Sequence, residues 1–176
     1  MAQLMILPLF PLLALAMQTD PLAPDIGCVT AQISPATREA IVAEMSGGTA
    51  GPVRQAFRDA AFRCRDQRSW PEDYTASIGM LAAARLAADA LSGRLTRGGV
   101  DVAAIDSWLA TAPLPAQPDG AEMTAAVEAL QAHLLAAGLE QSRLEANAEL
   151  IGQYVGAHHA ALEVRRELDV RRAGRQ

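Results

Sequence analysis

Apolar residues recur every three or four positions along this chain, between glycine, proline and serine signals, and that rhythm is the signature of packed helices. Aromatic residues make up only 4% of the chain, so the core has to be built from Ala, Leu, Ile and Val. Small side chains let helices approach closely, and few β-branched runs exist to feed a sheet. The expected class is all-α: one helical-bundle domain of about five to six helices over residues 34–176.

The punctuation places the helices one by one. Ser34 caps the first, with Pro35 at a position where a missing N–H costs nothing, and Ser46-Gly47-Gly48 stops it. Gly51-Pro52 opens the second, which buries Val53, Phe57, Ala60 and Cys64 and runs to about Arg68. Ser69-Trp70-Pro71-Glu72 has the form of a capping box for the third. That helix carries Tyr74, Ile78, Leu81, Ala84, Ala88, Leu91 and Leu95 along one side before Gly98-Gly99. Asp101 caps a short fourth helix with Val102, Ile105, Trp108 and Leu109 inward, and the proline-rich stretch 113–118 follows as a stiff connector.

The fifth helix begins at Asp119-Gly120-Ala121-Glu122, with an inward stripe of Met123, Val127, Leu130, Leu134 and Ala137. Gly138-Leu139 resembles a Schellman ending, and Ser142-Arg143-Leu144-Glu145 a second capping box. The last helix is expected from Arg143 to about Arg172, with Leu144, Ala148, Ile151, Val155, His158 and Leu162 inward. Beyond Leu162 the pattern gives way to Arg and Glu. The tail from Arg165 to Gln176 is therefore expected to project from the bundle, and its removal to leave stability unchanged.

The chain opens with MAQLMILPLFPLLALA, an uncharged run that closes on small-x-small at Ala14-Leu15-Ala16. This reads as a cleavable signal peptide over 1–16, cut between Ala16 and Met17. Retention of the segment as a core helix is the alternative. The run is shorter than the ~20 residues of a membrane-spanning helix and is broken by Pro8 and Pro11, so no stable membrane insertion is expected. Residues 17–33, with Pro21, Pro24 and Gly27, read as an extended segment. Export to the periplasm or beyond gives the two cysteines an oxidising environment. A Cys28–Cys64 disulfide across a hairpin of the first two helices is expected, worth roughly 3–4 kcal/mol by chain-entropy arithmetic.

A net charge of −5 argues against a nucleic-acid partner. No nucleophile elbow, phosphate-binding loop or paired-carboxylate spacing is present, so nothing assembles an enzyme and no cofactor is expected. The histidines are His133, His158 and His159. His158 is expected to bond Tyr154 or a carbonyl inside the bundle, while a haem or metal held through His158, His159 or His133 is the alternative. Arg54, Arg58, Arg65 and Arg68 share one side of the second helix as a candidate anionic contact, or a solvated face. The expected function is that of an exported, non-enzymatic bundle acting on an unknown protein partner or by self-association.

Overall fold

The computed structural model describes residues 20–47, 51–112, 114 and 120–173. The expected signal peptide and its cleavage point at Ala16 and Met17 lie outside them. Among the described residues the chain is all-helical, with α1 (Ala23–Ala31), α2 (Pro35–Gly47), α3 (Pro52–Arg68), α4 (Glu72–Arg97), α5 (Val102–Thr111), α6 (Gly120–Ala136) and α7 (Gln141–Ala173).

Helix α1 corrects the extended reading of 17–33. Pro24 falls within the first two helical positions, where its missing N–H is not needed, so it starts the helix and does not prevent it. Leu22, Ile26, Val29 and Ile33 form the buried stripe that the proline signals concealed. α1 lies on α3 and α4, and the segment before it is fastened by Asp20. The Asp20 carboxylate accepts from Arg85 of α4 at 2.7 Å, from Arg165 of α7 at 2.9 and 3.1 Å, and from the Leu22 backbone N–H at 3.0 Å. Burial alone would raise this carboxyl, but those bonds outweigh it and hold Asp20 down at about 2.

Most helix ends follow their sequence signals. The Thr37 N–H donates to Ser34 Oγ, and the Ala103 N–H to Asp101 Oδ1. At Gly138 (φ 95°) the Leu139 N–H reaches the Leu134 carbonyl and the Gly138 N–H that of Leu135, the paired bonds of a Schellman ending. Gly99 (φ 76°) ends α4 in the same way, with Val100 bonded to Leu95 and Gly99 to Thr96. Neither capping box forms. Ser69 instead closes α3 in the left-handed region at φ 56°, and α4 starts behind Pro71 without a side-chain cap. The carbonyl of Glu140, with Arg143 and Leu144 bonded to it, opens α7, which leaves Ser142 inside the first turn.

α4 is the central element, packed by α1, α2, α3, α5 and α7. α7 runs antiparallel along it: Asn147 meets Gly98 at one end and Arg171 meets Asp73 at the other. The 33 residues of α7 make a rod of about 50 Å. Its buried line is Leu144, Asn147, Ile151, Tyr154, Ala157 and Leu168. The expected stripe therefore shifts: Ala148 and Leu162 are exposed, while two polar-headed residues go inward. The Asn147 amide donates to the Arg143 carbonyl at 2.8 Å, so burying it leaves no donor stranded.

The tail expectation is overturned up to Arg171. Leu168 is 0% exposed, Arg165 grips Asp20, and Arg171 bonds both Asp73 and Glu167. Charged residues masked a core helix because each of these arginines ends on a carboxylate at the rim of the core.

Candidate functional site

The two cysteines form the expected disulfide, with Cα atoms 6.1 Å apart. It ties α1 to the last turns of α3. Cys64 is fully buried and Cys28 half-buried, and the Gln32 amide donates to Cys64 Sγ at 3.0 Å. Gln32 is held in turn through its oxygen by Arg63. This is a locked corner of the bundle.

The histidines do not converge. His133 of α6 lies 3.1 Å from the Ala104 carbonyl and 3.4 Å from Ser107 Oγ, both on α5. His158 Nε2 lies 3.1 Å from the Tyr154 hydroxyl, as the sequence suggested, and that hydroxyl donates to Asp106 of α5 at 2.7 Å. Burial, with the carboxylates of Asp106 and Asp89, pushes the Tyr154 phenol well above its ordinary value, so it stays a donor. The Asp106–Tyr154–His158 chain joins α5 to α7 and is satisfied within itself. Among the described residues no group of three or more His, Cys, Asp or Glu side chains is arranged to hold a metal ion.

The arginine face of α3 is largely consumed by the fold. Arg68 pairs with Asp25 of α1 at 2.8 Å, and Asp25 also accepts from Tyr74. Arg65 pairs with Asp66 and lies over the Phe62 ring. That leaves Arg54 and Arg58 beside Asp59, too little for an anionic contact surface.

An open cleft of about 210 Å³ sits where the α4–α5 and α6–α7 turns meet, lined in part by Asp101, Leu134, Leu139 and Arg143. It is smaller than the roughly 300 Å³ of a small-molecule site, and Arg143 there already faces Glu140 at 3.5 Å.

Among the described residues Met80 of α4 and Val170 of α7 are the most exposed large apolar side chains, and α6 carries the largest group of them. It packs on α5 and α7 through Leu130 and Leu134, near its C-terminal end. Met123, Val127 and Leu135 stand 39%, 46% and 40% exposed. Met123 and Val127 were expected inward; they continue the line of Leu130 and Leu134 but lie past the point where the bundle meets it. Glu122 and Glu128 are the carboxylates of this helix, and its other exposed positions are mostly Ala. Thr124, Glu128 and Gln131, spaced i, i+4 and i+7, form a polar row, and the apolar row of Met123 and Val127 lies beside it on the surface. In the sequence Met123, Val127, Leu130 and Leu134 read as one inward stripe, and nothing in it marks where the bundle stops covering that row.

The surroundings are acidic. From Gly120 to Leu150 there are five carboxylates, Glu122, Glu128, Glu140, Glu145 and Glu149, all exposed, against one arginine, Arg143. Comparison with protein families, with curated proteins and with solved structures finds no match to this chain.

Proposed function

We propose that this is an exported, non-enzymatic helical-bundle protein that works by protein–protein interaction or self-assembly, with α6 as its contact element. The single observation behind this is that Met123, Val127 and Leu135 stand exposed together on one helix. Large apolar side chains left in water on one element are costly unless something covers them.

Two features support the address in the periplasm or outside the cell: the apolar opening segment with its Ala14-Leu15-Ala16 ending, and a Cys28–Cys64 bridge suited to an oxidising compartment. Among the described residues no helix is long and apolar enough to cross a membrane. Intact mass of the protein from its host tests the address: a chain starting at Met17 and two hydrogens lighter supports it, and a full-length reduced chain overturns it.

The contact role is tested with Val127→Asp, a change at an exposed position that leaves the fold intact. Sedimentation of the pure protein and affinity capture from the extracytoplasmic fraction are compared for both forms. Self-association or a captured protein that Val127→Asp removes supports the reading. A monomer that captures nothing in an α6-dependent way refutes it.

A further inference from the structure

The two sulfurs of the Cys28–Cys64 bridge face water unequally. Cys64 is 0% exposed, whereas Cys28 keeps part of its surface in solvent. Around Cys28 on α1 stand Pro24, Gly27 and Ala31, all short and exposed, and a Cβ added at Gly27 would meet nothing within 4 Å. A thiolate arriving from outside therefore has its way in at Cys28 and not at Cys64.

Their polar neighbours differ as well. The Gln32 amide donates to Cys64 Sγ at 3.0 Å but stands 4.0 Å from Cys28 Sγ, where Gln67 Oε1 lies at 3.8 Å. Arg63 bonds the Gln32 oxygen, which fixes that amide with its nitrogen toward the bridge. A donor backed by a guanidinium favours negative charge on Cys64 once the bridge opens. Both cysteines lie near the C-terminal ends of their helices, so the helix dipole does not separate them. Access and leaving-group stability select the same direction of cleavage.

We infer that Cys28 is a site of reversible modification by a low-molecular-weight thiol, with Cys64 as the sulfur that leaves and later returns. The incoming thiolate bonds to Cys28 Sγ as the Cys28–Cys64 bond breaks, and the electron pair departs on Cys64 Sγ. One disulfide replaces another, so nothing is oxidised or reduced overall. α1 keeps its place while the bridge is open, because Leu22, Ile26 and Val29 are buried and Asp25 is held by Arg68 and Tyr74. Cys64 thus stays within reach of Cys28. Its attack on the mixed disulfide expels the thiolate and restores the bridge.

The test uses the full oxidised chain with reduced glutathione in excess as the probe. Timed samples are quenched in acid, unfolded, alkylated and mapped by mass spectrometry. Glutathione is expected on Cys28 and the alkyl label on Cys64, about tenfold or more over the reverse. In strong denaturant neither sulfur is shielded, and that preference should vanish. Gln32→Leu removes the donor and should slow exchange in the folded chain about threefold or more, with no change in denaturant. A purely structural part for Gln32 would act in the opposite sense, because a loosened corner opens faster.

Glutathione on Cys64, or on both cysteines alike, overturns the inference. So does a bridge that stays shut in the folded chain at a thiol concentration that opens it in denaturant. Exchange that quickens in Gln32→Leu overturns the choice of Cys64 as the favoured leaving group.

Discussion

Helices α3 and α6 are each 17 residues long, yet they treat their surfaces in opposite ways. α3 puts Val53, Phe57, Ala60, Ala61 and Cys64 inward and exposes Arg54, Gln55, Arg58, Asp59, Arg63 and Asp66. Every face has a solvent suited to it. α6 buries Leu130 and Leu134 and exposes Met123, Val127, Leu135 and a set of alanines beside Glu122, Thr124, Glu128 and Gln131. The first helix is finished by its own chain. The second leaves part of its apolar row in water, and that is what the proposed contact role would use.

The sharpest way to break this contrast is to attack the finished half. Deleting residues 165–176 removes Leu168, Arg165 and Arg171, and is expected to cost more than about 4 kcal/mol, enough to abolish the cooperative thermal transition. A truncated protein that melts like the full chain would show that the end of α7 is not core.

Next in size is Phe57→Ala, which empties a buried site on α3 and should cost about 3–5 kcal/mol in denaturant unfolding. Converting both cysteines to Ser should cost about 2–5 kcal/mol, and the fluorescence of Trp70, half-buried near the end of α3, is a convenient monitor. Losses well below 1 kcal/mol in either case would make α3 no more integral than α6.

Asp20→Asn is expected to lose about 2 kcal/mol at neutral pH. The folded carboxyl sits at about 2, below its ordinary 3.8. Its contribution is therefore present in full above pH 4, is lost as the pH falls toward 2, and should leave wild type and Asp20→Asn alike in acid. A gap between the two that persists at pH 2 would place the contribution elsewhere.

The smallest effect belongs to α6. Val127→Ser should move stability by no more than about 0.5 kcal/mol, since the side chain is already nearly half in water. A larger loss would mean that α6 is sealed, which would remove its claim to be a contact element.

The sequence was readable where polarity and geometry agree. α3 is the plainest case, and Asp101, Gly138 and the Cys28–Cys64 pair also behave as their chemistry requires. It misled where one residue type serves two purposes. Pro24 resembles a breaker but sits where proline begins a helix. Asn147 and Tyr154 escaped an apolar count because their polar atoms find partners in Arg143 and Asp106. Ser69 has the composition of an N-cap, but the chain spends it on the left-handed turn that ends α3. As for the α6 surface, pattern matching asks which face goes inward and never asks whether the outward face is fit for water.

The bond between Asp20 and Arg165 spans 145 residues, and α7 covers a long side of α4. In a growing chain α4 is therefore covered only once α7 has been made, because one long side of it waits for that strip. Loops of that length close slowly, and the early helices stay exposed in the meantime. Closure over α4 is thus a late step, with Asp20 and Arg165 meeting across it as a latch.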